Sequence, residues 1–335
     1  MAELPKPLND LAAQIDRAVE SQTDKPRPHL GCSIAGHHCE RWLWLSFRWA
    51  VREQFSGRML RLFRRGQREE EIIVSDLKRV GIKIGGDQTR VDFGCHVSGS
   101  VDGIIDSGVP GAMQKRHVAE FKTHSKKSFD DLCKNGVQKS KPMHWAQMQL
   151  YMMGLQIDRA LYVAVCKDDD RYYTERVKMD QEAAQAILER AQRIALSDRM
   201  PPPISTDKTW YQCKFCPAHD FCFESKLTKQ VNCRTCAHST ATDKSDFHCA
   251  KWDAVIPYEH QITGCDAHVL HPDMVPWDLV PDESTEFVAA YRVDGKVLLN
   301  GEGHFASSEL IAGREACADE IVQLIRERFD AKVIE

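Results

Sequence analysis

Two short apolar segments constrain this chain more than anything else in it: Val101-Asp102-Gly103 and, after a loop, Ala119-Glu120-Phe121-Lys122. A strand alternates its side chains, so within His117–Thr123 Glu120 and Lys122 share one face while Ala119 and Phe121 take the other. On the preceding apolar run Asp102 shares a face with Ser100 and Ile104. Pairing of the two runs would bring two carboxylates and an ammonium to one spot. Hard cations such as Mg²⁺ and Mn²⁺ prefer oxygen donors of this kind, and a lysine beside an attacking water suits phosphodiester hydrolysis. Surface ion pairs on a sheet are the plainer alternative.

The chain has 335 residues, 42% of them hydrophobic, enough for a sizeable core with appendages. No run of eighteen apolar residues occurs, and Met1-Ala2-Glu3-Leu4-Pro5 lacks a basic-then-apolar leader pattern, so a cytoplasmic protein without a membrane partner is expected. The formal net charge is -4, yet charge is unevenly placed. Arg41 to Arg68 contains eight arginines and, after Glu40, Glu53 is the only acid before Arg68, while residues 278–335 are net acidic. A basic block beside carboxylates is the footprint of a phosphate backbone contact; solvated helix faces are the alternative.

Periodicity predicts helices over Leu8–Val19, from His38 or Cys39 to about Phe55, over Met59–Val80 with Gly81 as C-cap, over Met143–Leu155 and over Gln181–Ala195. The Met59–Val80 helix carries a stripe of Met59, Phe63, Gly66, Glu70, Ile73 and Leu77, which places Glu70 toward the core, where a carboxylate needs a partner or a metal. Strands are expected at Ile82–Ile84, Thr89–Phe93, Val97–Ile105, His117–Thr123, Arg159–Cys166 and Tyr172–Lys178. A lysine-rich loop (Lys126, Lys127, Lys134, Lys139, Lys141) follows the fourth. A proline-bearing linker spans Ser21–Pro28, and Pro201-Pro202-Pro203 closes this region.

Order and residues together resemble the PD-(D/E)XK superfamily, in its RecB-like branch, which includes phage exonucleases and the iron–sulfur nucleases of CRISPR adaptation. The resemblance covers about Leu30 to Phe223. It implies an α/β (α+β) restriction-endonuclease-like core with a mixed central sheet flanked by helices; beyond it a small Cys-rich C-terminal appendage is expected from the cysteine spacing. Gly66 and Glu70 match the family's first-helix step. Asp102 matches its strand aspartate, Glu120 and Lys122 its Glu-x-Lys, and Gln147 with Tyr151 its Gln-x-x-x-Tyr. The family's proline is replaced by Val101. The implied chemistry is Mg²⁺- or Mn²⁺-dependent phosphodiester hydrolysis: Asp102, Glu120, Glu70 and the Phe121 carbonyl hold metal, Lys122 assists the attacking water, and Gln147 and Tyr151 position the DNA. His144 shares the Gln147 face and is either a substrate contact or a partly buried neighbour.

Thirteen cysteines in a chain expected to be cytoplasmic favour metal over disulfides. Cys213, Cys216 and Cys222 form C-x₂-C-x₅-C. By the same resemblance, Cys39 supplies a fourth ligand, with Cys32 as the rival; the group is a [4Fe–4S] cluster, or alternatively zinc. Cys233, Cys236, Cys249 and Cys265 form C-x₂-C-x₁₂-C-x₁₅-C, a pattern for Zn²⁺, with His238, His248 or His268 able to replace one cysteine. The remaining cysteines carry no assigned role.

Four regions are expected: a helix and linker (1–29), a nuclease domain with the iron–sulfur cysteines (30–228), a zinc-type module (229–275) and an α/β tail (276–335). The tail should hold strands Phe287–Arg292 and Lys296–Leu299 and one helix, Glu315–Phe329. Function is expected to be exonucleolytic cleavage from single- or double-stranded DNA ends in recombination, repair or phage DNA metabolism. The host would be bacterial or the gene phage-borne, with a recombination or phage-encoded protein as partner. A non-catalytic nucleic-acid-binding adaptor is the alternative. No G-x-x-x-x-G-K-[ST] loop or H-x-x-x-H pair occurs, which sets aside a helicase and a His-ligated zinc hydrolase.

Overall fold

The computed structural model describes residues 9–22, 25–329 and 331–334. The Met1–Pro5 terminus, the expected helix start at Leu8, and Thr23 and Asp24 of the linker lie outside them, as do residues 330 and 335. In chain order, α1 (Asn9–Glu20) leads through β1 (Leu30–Gly31) and α2 (Cys32–Ala35) to α3 (Glu40–Phe47) and α4 (Gly57–Arg79). Strands β2 (Lys83–Gly85), β3 (Arg90–Asp92), β4 (Val97–Ser100), β5 (Gly103–Ser107) and β6 (His117–His124) follow. Helices α5 (Lys126–Ser140) and α6 (Pro142–Leu155) cross over to β7 (Arg159–Cys166), β8 (Tyr172–Lys178) and α7 (Gln181–Leu196).

The central sheet runs β2-β5-β6-β7-β8. Its β6–β7 pair is parallel, and its other pairs are antiparallel. This is the expected mixed α/β architecture. Seven of the eight residues of β7, Arg-Ala-Leu-Tyr-Val-Ala-Val-Cys, are buried, as a strand covered on both faces requires. On one face Ile73 of α4 meets Ile105, Phe121 and Val163. On the other, Val118, Tyr162 and Ala164 meet Met148 and Met152 of α6.

Several expectations change. The expected strand Val97–Ile105 is broken at Val101-Asp102: β4 pairs in a small sheet β1-β4-β3, and β5 joins the central one. The lysine-rich loop is the helix α5, kinked at Gly136 (φ 72°), because Phe129, Leu132 and Val137 bury an apolar side beneath the lysines. Helix α3 stops at Phe47, well short of Phe55, where Trp49 takes a left-handed φ of 53°. The α4 stripe holds only in its second half. Phe63 is 44% exposed because a 23-residue helix, about 34 Å long, outruns the sheet and meets α1 instead. Of the eight arginines, Arg48 is fully buried, over the Trp44 ring and bonded to Ser197, Ser239 and Asp198, so it cannot meet a phosphate.

Beyond α8 (Tyr211–Lys214), the hairpin β9 (Ser239–Ala241) and β10 (Phe247–Cys249) pairs with β11 (Ala254–Val255) and leads to α9 (Tyr258–Thr263). This module shares the nuclease-side core through Ala241, Phe247, Ile256 and Met274. Arg234 is its bolt. Its guanidinium, 1% exposed, donates to the carbonyls of Phe47 (2.9 Å) and Pro28 (2.8 Å) and to Gln261 (2.9 Å), and lies 3.8 Å over the Trp49 ring. Burial holds its pKa down, to about 9. The tail forms β12 (Asp278–Leu279), β13 (Val288–Val293) and β14 (Lys296–Gly301), then α10 (Ser307–Cys317) and α11 (Glu320–Phe329). The single expected final helix is therefore two. No helix among the described residues is long and apolar enough to cross a membrane.

Candidate active site

The break between β4 and β5 positions Asp102. Its Oδ2 accepts the backbone N–H of Phe121 at 2.8 Å, which fixes it against the middle of β6. Glu120 has no solvent exposure. The Nζ of Lys122 stands 2.5 Å from Glu120 Oε1, donates to the Phe121 carbonyl at 2.8 Å, and lies 3.5 Å from Asp102 Oδ2. Three of the oxygens expected to hold metal thus surround one ammonium.

The electrostatics follow from this crowding. Burial pushes the Glu120 carboxyl up, to about 7; Lys122 pulls it back while Asp102 and Glu70 push it further. Burial works against charge on Lys122, but Glu120 and Asp102 outweigh it and hold the ammonium above its ordinary pKa. Glu70, half-buried on α4, is raised by burial and by Asp102, with Lys122 opposing. It belongs to the same electrostatic group.

Oε2 of Glu120 is buried without a hydrogen-bond partner, and Oε1 meets only the Lys122 ammonium. A buried carboxylate oxygen without a donor is costly, and a hard divalent cation is the group that takes it up, so the donor set fits one. As the side chains stand, no group of three or more His, Cys, Asp or Glu among the described residues is arranged to hold a metal ion.

On α6, Gln147 donates to the Tyr151 hydroxyl at 3.3 Å. Tyr151 reaches the site because residue 99 is glycine: a Cβ there would lie 2.7 Å from the phenol oxygen. Burial, then Cys32 and Glu120, raise that phenol's pKa. His144 is not free. Its Nδ1 lies 2.9 Å from the Tyr162 hydroxyl, which also lies 2.9 Å from His124 Nε2. Sequence reasoning missed Tyr162 and His124. The available signal was register, since Tyr162 pairs with Glu120 and His124 is two residues beyond Lys122 on the same face.

A profile of the PD-(D/E)XK nuclease superfamily matches residues 2–223. The chain belongs to the PD-(D/E)XK nuclease superfamily. No curated protein matches it. Among solved structures it is similar to SSO0001, with 14% identity over 64% of this chain and 96% of that one, at a TM-score of 0.40. It is also similar to an alkaline exonuclease (LHK-Exo) from Laribacter hongkongensis, at 16% identity, 54% and 90% coverage and a TM-score of 0.35. A phage-related exonuclease from Haemophilus somnus 129PT gives 21%, 38% and 66%, and 0.29. Likeness at this level does not define an activity.

In this PD-(D/E)XK chain the first cysteine group lies apart from the carboxylates. Cys39, Cys213, Cys216 and Cys222 line one cavity of about 30 Å³. Cys39 is the N-cap of α3, its sulfur accepting the Trp42 N–H at 3.4 Å. Cys32 is elsewhere, buried against Gly99 beside Tyr151. Cys233, Cys236, Cys249 and Cys265 line a second cavity, of about 600 Å³. Of the three candidate histidines, His238 and His268 line it, whereas His248 Nε2 is 3.3 Å from Asp253.

Proposed function

We propose that this PD-(D/E)XK protein is a Mg²⁺- or Mn²⁺-dependent deoxyribonuclease that degrades DNA from its ends. The observation that carries the reading is the buried Glu120 carboxylate, with one oxygen left without a donor and the other sharing the Lys122 ammonium with Asp102 and the Phe121 carbonyl. Glu120, Asp102, Glu70 and the Phe121 carbonyl would hold the divalent ion, which supplies Lewis-acid polarisation and a nucleophilic hydroxide near neutral pH. Lys122 stays charged between two carboxylates and offsets negative charge building at phosphorus. Gln147, aligned by its bond to Tyr151, orients the strand end. Exposed Arg64 and Arg68 on α4 contact backbone phosphates without reading bases.

The same proposal assigns Cys39, Cys213, Cys216 and Cys222 to one [4Fe–4S] cluster, with zinc as the other occupant those thiols accept. The cluster would join the start of the nuclease domain to its end. A recombination or phage-encoded protein partner and a bacterial cytoplasmic setting belong to this reading.

The test is incubation of the anaerobically purified full chain with linear end-labelled DNA and with covalently closed circles, with and without Mn²⁺. Progressive loss of linear DNA alone, dependent on metal, is expected. Cutting of closed circles would make the protein an endonuclease. Binding without cutting under every metal condition would leave the adaptor reading.

A further inference from the structure

We infer that Cys233, Cys236, Cys249 and Cys265 form a structural zinc site that clamps the C-terminal module onto the nuclease domain. The four sulfurs come from three segments: Cys233 and Cys236 from a 3₁₀ turn, Cys249 from the end of β10, and Cys265 from the loop after α9. All four are free thiols around a single cavity.

Two observations beyond the spacing point to a ligand. The Cys233-x-x-Cys236 turn is closed by the Cys236 N–H on the Cys233 carbonyl (3.1 Å), and the Cys236 sulfur accepts the Val269 N–H at 3.5 Å. Amide donors on sulfur favour thiolate, the form that binds zinc. His238, only 8% exposed, lines the same cavity with its Nε2 buried and unpartnered. His268 is not a competing ligand, because Nδ1 is 2.8 Å from Ser307 Oγ and Nε2 is 3.0 Å from the Asn232 carbonyl. Four soft thiolates brought to one ion would select tetrahedral zinc.

Arg234 gives the site its reach. It lies between the first two ligands, and its guanidinium holds the carbonyls of Phe47 and Pro28. Fixing the turn therefore fixes the arginine that bolts α3 in place.

Zinc and iron per chain should be measured by mass spectrometry on the full chain purified from zinc-supplemented culture, alongside Cys249→Ser and Cys265→Ser. Cys265 is exposed, so its substitution leaves the core intact. Each variant should lose one zinc equivalent with iron unchanged, and its thermal unfolding should move down. On the wild-type protein, a mercurial titration followed with a zinc-sensitive dye should release that same equivalent. Unchanged zinc in Cys265→Ser, or no zinc released from the wild type, would overturn the site.

Discussion

The ammonium of Lys122 stands 2.5 Å from Oε1 of Glu120, its neighbour but one on β6, and bonds the intervening carbonyl of Phe121 at 2.8 Å. A single cation thus holds the oxygens that a metal ion would need. Lysine and metal should compete for them.

Lys122→Met is therefore expected to bind Mn²⁺ at least as tightly as wild type, while cleavage falls by about 10²-fold or more. Titration calorimetry and single-turnover cleavage separate the two effects. Glu120→Gln and Asp102→Asn should lose both metal binding and cleavage but keep DNA binding. Weaker Mn²⁺ binding by Lys122→Met would show that the ammonium supports the cage rather than competing for it.

Gly99→Ala should reduce cleavage without touching the carboxylates. Its Cβ would sit 2.7 Å from the Tyr151 hydroxyl, forcing the phenol and its partner Gln147 aside. A wild-type rate in Gly99→Ala would remove Tyr151 from the site.

Much of this arrangement was legible in the sequence, because it depends on strand alternation and on order along the chain. Glu120 and Lys122 share a face by period two, and Asp102 precedes them at the end of a neighbouring apolar run. What escaped depends on contacts between distant segments. Residues 97–105 look like one strand, since nothing local shows that the chain changes sheets at Val101-Asp102. Arg48 looked like a surface arginine and is instead enclosed by the backbone of residues 197 and 239, far away in the chain. The α5 helix was hidden by its lysines, which face water over a sparse apolar side.

Acid should destabilise the fold between about pH 6.5 and 4. Burial first, then Lys141 and Lys122, hold His124 down to about 4; burial, then Lys122, hold His144 down to about 3. Across that window the unfolded chain binds protons that the folded one refuses, so the stability present above pH 6.5 is lost as pH falls. Denaturant unfolding at stepped pH should show this slope, and His144→Gln should make it shallower.

Salt dependence should report phosphate contacts. The log–log slope of DNA affinity against salt should shrink by about 2 in Arg64→Ala/Arg68→Ala, since each contact contributes about 0.9. Equal loss on unrelated DNA sequences is expected, measured by fluorescence anisotropy. An unchanged slope would place the DNA on another face.

Arg48 also sets an expectation. Its Nη2 stands 3.0 Å from Asp198, and burying an unpaired guanidinium costs several kcal/mol, so Asp198→Ala should lower the unfolding midpoint more than a surface change would. Calorimetric melting of the two proteins checks it.

The grip of Arg234 on Phe47 and Pro28 has a consequence for synthesis on the ribosome. The segment that emerges first is completed by a residue about two hundred positions later. Until that residue leaves the exit tunnel, the Phe47 and Trp49 rings lack their cover and the nuclease half is exposed to proteases. A chain released before Arg234 should therefore be degraded rather than accumulate. The bolt therefore acts as a check on completeness, letting the nuclease half settle only when the Cys-rich module has been made.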